Sequence, residues 1–171
     1  MISDVIYSDF ISYPSCLLRK RHFDAVWISH VLEHIRDVNT FLDKVRELCD
    51  EGTCLAITVP SREANILLGH VQSFSAGRLL RYLLTSGFDC RDAMIKEYDG
   101  NLSIILPSVK FIPDYYNVRG VEELTVNKHS QNGIFAYLPS EIELLDWHGD
   151  KFFRGDIEQL NWYEGDYKHK L

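Results

Sequence analysis

The chain has 171 residues, 46% of them hydrophobic and 25% charged, with a formal net charge of -7. That length suits one domain with a real core, since about 150 residues bury about 70% of their unfolded surface. The acidic balance, with Arg19-Lys20-Arg21-His22 as the only compact basic run, argues against a nucleic-acid partner, and no apolar run approaches the ~18 residues of a membrane-spanning helix.

In chain order, residues 4–10 (DVIYSDF) read as a short strand, with Val5, Ile6 and Tyr7 favouring β structure. A connection broken by Pro14 follows. Residues 23–29 (FDAVWIS) suit a buried strand. Val38, Phe41, Leu42, Val45 and Leu48 recur at helical spacing, and Gly52 is a plausible stop. Residues 53–60 (TCLAITVP) form another buried strand, ended by Pro60. A second helix spans 73–87, capped by Ser73 or Ser75, with Leu79, Leu80, Leu83 and Leu84 as its apolar face and Gly87 as its terminator. Residues 88–100 and 101–109 read as two strands joined at Asp99-Gly100, a common hairpin turn. Buried strands alternating with amphipathic helices predict an α/β domain over 1–109, mostly parallel, with helices on both faces and an antiparallel hairpin at one edge. Residues 110–171 change character: aromatic and acidic, with a candidate hairpin at Asn132-Gly133 and a mobile end. Its aromatics, Trp147, Trp162, Tyr115, Tyr116 and Tyr163 among them, suit sugar or planar ligand faces, with core packing the expected role of most.

Cys16, Cys49, Cys54 and Cys90 make no C-x-x-C, so reduced thiols and a cytoplasmic setting are expected. Residues 30–34 spell H-x-x-E-H. A zinc site of that type needs both histidines on one helical face. Here a strand ends at the first histidine, so the imidazoles of His30 and His34 need not point together. A zinc hydrolase is therefore the lesser alternative, and no metal ligand is assigned.

With its context restored, the run FDAVWISHVLEHIRDVNTFLDKVRELCDEGTCLAITVP resembles the second half of a class I S-adenosylmethionine-dependent methyltransferase domain. That family often carries F-D-x-V, then L-E-H-I, an apolar helix, a Gly-containing turn and a strand ending in Pro. The later GHVQSFSAGRLLRYLLTSGFD is similar to the family's H-x-x-x-F-S helix followed by G-F, and residues 4–10 resemble its third strand. The resemblance covers about residues 4–107 and implies a partial Rossmann-like sheet, with ligands beyond the carboxyl ends of its strands. It implies that Asp9 accepts a hydrogen bond from the adenine amino group and Phe10 offers its N–H or ring to the base. Ser29 and His30 would line the wall near the methionine part, and His34 and His70 are the candidate bases. The plain alternatives are a turn acid for Asp9, an orienting hydrogen bond for His34 and a loop histidine for His70.

The family's Gly-rich loop, resembling G-x-G-x-G, has no counterpart: ten glycines include no G-x-G. The expectation is a truncated or decayed methyltransferase, starting at the family's third strand, whose complete form methylates a small molecule, lipid or sugar. Strands made to be buried on both faces would then expose an edge. A second copy, a partner chain or the aromatic tail folding back would cover it. The alternative function is a non-catalytic interaction module pairing through that edge.

Overall fold

The computed structural model describes residues 5–61, 69–113, 134–140, 142, 144–147, 150–153 and 159–161. The main sheet is built from Ala25–Ser29 (β1), Cys54–Pro60 (β2), Met94–Tyr98 (β3), Asn101–Leu106 (β4) and the two-residue Gln159–Leu160 (β7), in the order β1-β2-β4-β3-β7. Leu144–Trp147 (β5) and Asp150–Phe153 (β6) form a separate antiparallel pair. The helices are Ser15–Arg19 (α1), Val38–Leu48 (α2) and Ala76–Thr85 (α3).

β1 and β2 run parallel, from Ala25↔Cys54 to Ser29↔Thr58, joined by the α2 crossover. β4 inserts antiparallel between β2 and β3. Consequently β1, β2 and β3 share one direction, although β1–β2 is the only parallel neighbouring pair among the described strands. The α/β class read from the sequence is the one observed, but the sheet is mixed rather than mostly parallel, because the β3–β4 hairpin sets β4 antiparallel against β2.

Side-chain alternation assigns the faces. Leu55, Ile57 and Val59 are buried while Cys54, Ala56 and Thr58 are half-buried, as the two-residue period of a strand requires. The buried set joins Ile28, Ile95, Leu102, Ile104 and Leu106 in one cluster with Val38, Phe41, Leu42 and Val45 of α2 and Leu79, Leu80, Leu83 and Leu84 of α3. Each such side chain contributes about 1.5–3 kcal/mol when fully buried. Both long helices therefore lie on the same face. This differs from the expected helices on both faces: the second row, with Trp27 exposed and Cys54, Ala56, Met94 and Ile105 half-buried, carries neither long helix. On the other face Trp27 is 78% exposed and Ala25 is exposed.

The helix ends follow their chemistry. Asp37 caps α2, accepting the Thr40 N–H at 3.0 Å and the Thr40 hydroxyl at 2.7 Å. The helix ends at Leu48, ahead of Gly52, and the buried Thr53 hydroxyl then accepts the Asp50 N–H and donates to the Phe23 carbonyl. Ser75 caps α3 through the Arg78 N–H. At the other end Gly87, φ +82°, lets its own N–H reach the Leu84 carbonyl and the Phe88 N–H reach Leu83, the paired arrangement that a left-handed glycine permits. Asp99 and Gly100, φ 47° and 74°, form the two-residue β3–β4 turn that their sequence predicts.

Two elements differ from the sequence reading. Residues 5–10 form no strand, and residues 88–93 are a loop, so β3 starts only at Met94. That loop is fastened by the buried Asp89, which accepts from the Arg91 backbone and guanidinium, and by the Arg91 guanidinium 5.2 Å from the Tyr137 ring centroid. Ile112 and Leu138 join the core cluster, and β7 pairs with β3. Asn132-Gly133 and the C-terminal ten residues lie outside the described residues.

The Asp37 carboxyl is held below its ordinary 3.8, chiefly by the Thr40 backbone N–H and then by the Thr40 hydroxyl. Because the folded value lies below the unfolded one, this contribution is present above about pH 4 and is lost as pH falls through the folded value. Asp37→Asn keeps a capping oxygen without the charge. It is expected to cost a few tenths of a kcal/mol near neutral pH and to approach the parent toward about pH 2, measured by urea denaturation across that range.

Candidate functional site

The carboxyl end of β1 is where the chain turns. Ser29 is half-buried and paired with Thr58. His30 follows with φ +52° while its N–H still reaches the Thr58 carbonyl at 2.9 Å. A left-handed histidine is uncommon and strained, and it ends the strand at once. The next turn, Leu32–His34, is a short 3-10 helix, and α2 begins only at Val38. The helical face that an H-x-x-E-H zinc motif needs is therefore absent between His30 and His34.

What the turn produces instead is a buried carboxylate. Glu33 is 1% exposed, and neither of its carboxylate oxygens has a hydrogen-bond partner. His30 Nδ1 stands 3.3 Å and His34 Nε2 3.8 Å from Glu33 Oε1, within ion-pair range but not aligned as hydrogen bonds. The Glu33 backbone carbonyl accepts the N–H groups of Val71 and Gln72 at 2.8 and 3.2 Å. His34 Nδ1 lies 2.9 Å from the Gly69 carbonyl. A carbonyl only accepts, so Nδ1 carries the proton and Nε2 of the neutral ring keeps its lone pair. Gly69, φ +92°, brings that carbonyl in with His34 Nδ1 only 3.7 Å from where a Cβ would stand. The His34 and His70 rings meet edge to face with centroids 4.9 Å apart. Among the described residues, Glu33, His34 and His70 offer ligand atoms that all lie within 4.8 Å of one another.

Of the residues singled out from the sequence, Ser29, His30, His34 and His70 thus gather at the carboxyl end of β1. Asp9 and Phe10 lie elsewhere. Asp9 is exposed in a turn, accepting the Ser12 N–H at 2.9 Å, which holds its carboxyl below the usual range. Phe10 stacks on Phe41 of α2 with centroids 4.9 Å apart. It also lines a cavity of about 340 Å³ with Ile6, Tyr13, Leu18, Phe23 and Val26. This cavity sits at the start of β1, the opposite end from His30, and its lining is apolar. The cysteines supply no nucleophile from the core: burial pushes the Cys49 thiol up to about 11, and burial with Asp89 beside it pushes Cys90 higher. Glu33 escaped the sequence reading as a site residue. The signal was there, an acid set between Val31-Leu32 and Ile35 in an otherwise apolar run.

No protein-family model matches the sequence, and no curated protein matches it. Among solved structures, human N-acetylserotonin methyltransferase in complex with SAM matches at 17% identity and a TM-score of 0.48, over 63% of this chain and 34% of that one. The chain spans about a third of that protein's length.

The His30 turn has a direct test. A β-branched residue tolerates positive φ poorly while glycine adopts it freely. His30→Val is expected to be about 1–2 kcal/mol less stable than His30→Gly, read from the midpoints of urea unfolding at matched slope.

Proposed function

We propose that this chain carries part of an S-adenosylmethionine-dependent methyltransferase domain, with the carboxyl end of β1 as one wall of the cofactor crevice. The reading rests first on the linked sequence pieces in order: F-D-x-V, L-E-H-I, the strand ending in Pro60 and the H-x-x-x-F-S run before α3. The observation that carries it is the convergence of Ser29, His30, His34 and His70 beyond the ends of two parallel strands, where open α/β sheets bind ligands.

The sulfonium cofactor supplies an already electrophilic methyl carbon. The protein's task is to align the acceptor with it. Ser29 and His30 offer a hydroxyl and an imidazole to the polar, methionine end of the cofactor. Asp9 and Phe10, expected at the adenine end, stand apart from this wall: Asp9 is held in its own turn by Ser12 and Phe10 packs at the start of β1. His34 and His70 stand on the acceptor's side and either take its proton or orient it. The acceptor class is a small molecule, lipid or sugar.

Titrating the ¹⁵N-labelled chain with S-adenosylhomocysteine and following amide shifts detects even millimolar binding. Saturable shifts centred on Ser29, His30 and their β2 neighbours are expected. Saturation that leaves those amides untouched, or no shift at all, overturns the reading.

A second reading has its own support. β1 is the sheet's edge among the described residues, and Trp27 on it is 78% exposed. Such an edge favours pairing with another chain. If it pairs, Trp27→Arg shifts sedimentation toward the monomer by at least tenfold in dissociation constant; unchanged sedimentation at concentrations where the parent associates removes this reading.

A further inference from the structure

The Glu33 carboxylate raises a question that the methyl-transfer reading leaves open. A buried acid whose two oxygens lack hydrogen bonds is costly, and two imidazoles stand within 4 Å of this one. The nearest nitrogen on His34 is Nε2, at 3.8 Å. Because Nδ1 donates to the Gly69 carbonyl, that Nε2 presents a lone pair to a carboxylate oxygen. In the neutral ring both of these atoms are electron-rich, and a cation between them would attract both.

We propose that Glu33, His34 and His70 form a binding site for a divalent transition-metal cation of the zinc class. The donor set is one carboxylate and two imidazoles, which such cations take readily. The pattern around His34 is that of a metal ligand, with one ring nitrogen fixed by a backbone carbonyl so that the other is aimed and basic. All three ligand atoms already lie within 4.8 Å of one another. Bonds of about 2.0–2.2 Å in a tetrahedral site place ligand atoms about 3.3 Å apart. The Glu33–His34 pair stands about 0.5 Å wider than that, and contacts to the His70 atom stand up to about 1.5 Å wider. His34 is half-exposed, so its ring has room to adjust. Fewer than four protein ligands leaves an open position for water or an acceptor oxygen.

This site differs from the one that H-x-x-E-H suggests. There both motif histidines bind and the acid does not. Here the acid binds, the second histidine binds, and the third ligand comes from His70, 36 positions beyond His34 in the sequence. His30 lies outside the group of three, and its Nδ1, 3.3 Å from Glu33 Oε1, positions the carboxylate. The cation gives His34 and His70 an orienting role on the acceptor's side. The site stands on side-chain geometry alone, so it survives or fails independently of S-adenosylhomocysteine binding.

The test uses Co²⁺ as a visible probe and Zn²⁺ in competition, on the full chain stripped with chelator. One Co²⁺ per chain is expected, with ligand-field absorption that Zn²⁺ abolishes and a rise in melting temperature. Glu33→Gln keeps the shape and removes the charge; it is expected to weaken Co²⁺ at least tenfold while the metal-free chain melts no lower than the parent. His70→Asn, on a segment before α3, is expected to weaken it similarly and serves if Glu33→Gln fails to fold. His22→Asn, which alters the exposed His22–Asp50 pair, is the control and leaves binding unchanged. Absence of saturable Co²⁺ binding overturns the site. So does binding that persists in His70→Asn, or that is lost in His22→Asn.

Discussion

The carbonyl of Glu33 accepts two backbone N–H groups, from Val71 and Gln72, and one residue later the His34 ring donates to Gly69. Those bonds clasp the turn after β1 to the segment that leads into α3. Both sides of the clasp are short and irregular, and among the described residues the segment before α3 has only the single bridge of Phe74 to Ser61. The clasp depends on the abrupt end of β1: His30 adopts a left-handed backbone, the chain reverses, and the Glu33 side chain is driven inward. With α2 packed on α3 through the same core, and Asn39 donating to Thr85 at 2.8 Å, the turn has little freedom to relax. Strain at one residue and burial of a carboxyl at another are held in place by the packing of two helices.

Much of this was legible in the residues. The apolar spacing of Val38, Phe41, Leu42, Val45 and Leu48 marked α2, and all five are buried. Gly87 marked the end of α3, and Asp99-Gly100 marked the hairpin, because each position needs a conformation that few residues adopt. The N-terminal segment was not legible. Val5, Ile6 and Tyr7 favour strands, yet all three are exposed and unpaired in any described ladder. β propensity expresses itself only where a neighbouring strand is available. Residues 88–93 were misread for the opposite reason: Asp89 and Arg91 grip each other locally and hold the chain in a loop before β3 begins.

The candidate site was half legible. Motif spacing named His30 and His34, and the segment before α3 named His70. What spacing could not supply was the direction of each ring. The left-handed turn separates His30 from His34, and the carbonyl of Gly69 selects the nitrogen that His34 presents. Glu33 gains its place from Leu32 and Ile35, whose burial against the core carries the acid in with them. The role of a polar group here is set by its apolar neighbours.

The insertion of β4 between β2 and β3 bears on how the chain assembles. β3 and β4 are joined by two residues, so they close as a local hairpin on the microsecond scale. β1, α2 and β2 form a second local unit. Neither unit is a finished sheet until the ladder from Leu55↔Leu106 to Pro60↔Asn101 zips them together. That seam bridges the longest loop between main-sheet neighbours β1 to β4, so it carries the largest closure entropy among them. Pairing of β7 on β3 then adds to a nucleus that already exists.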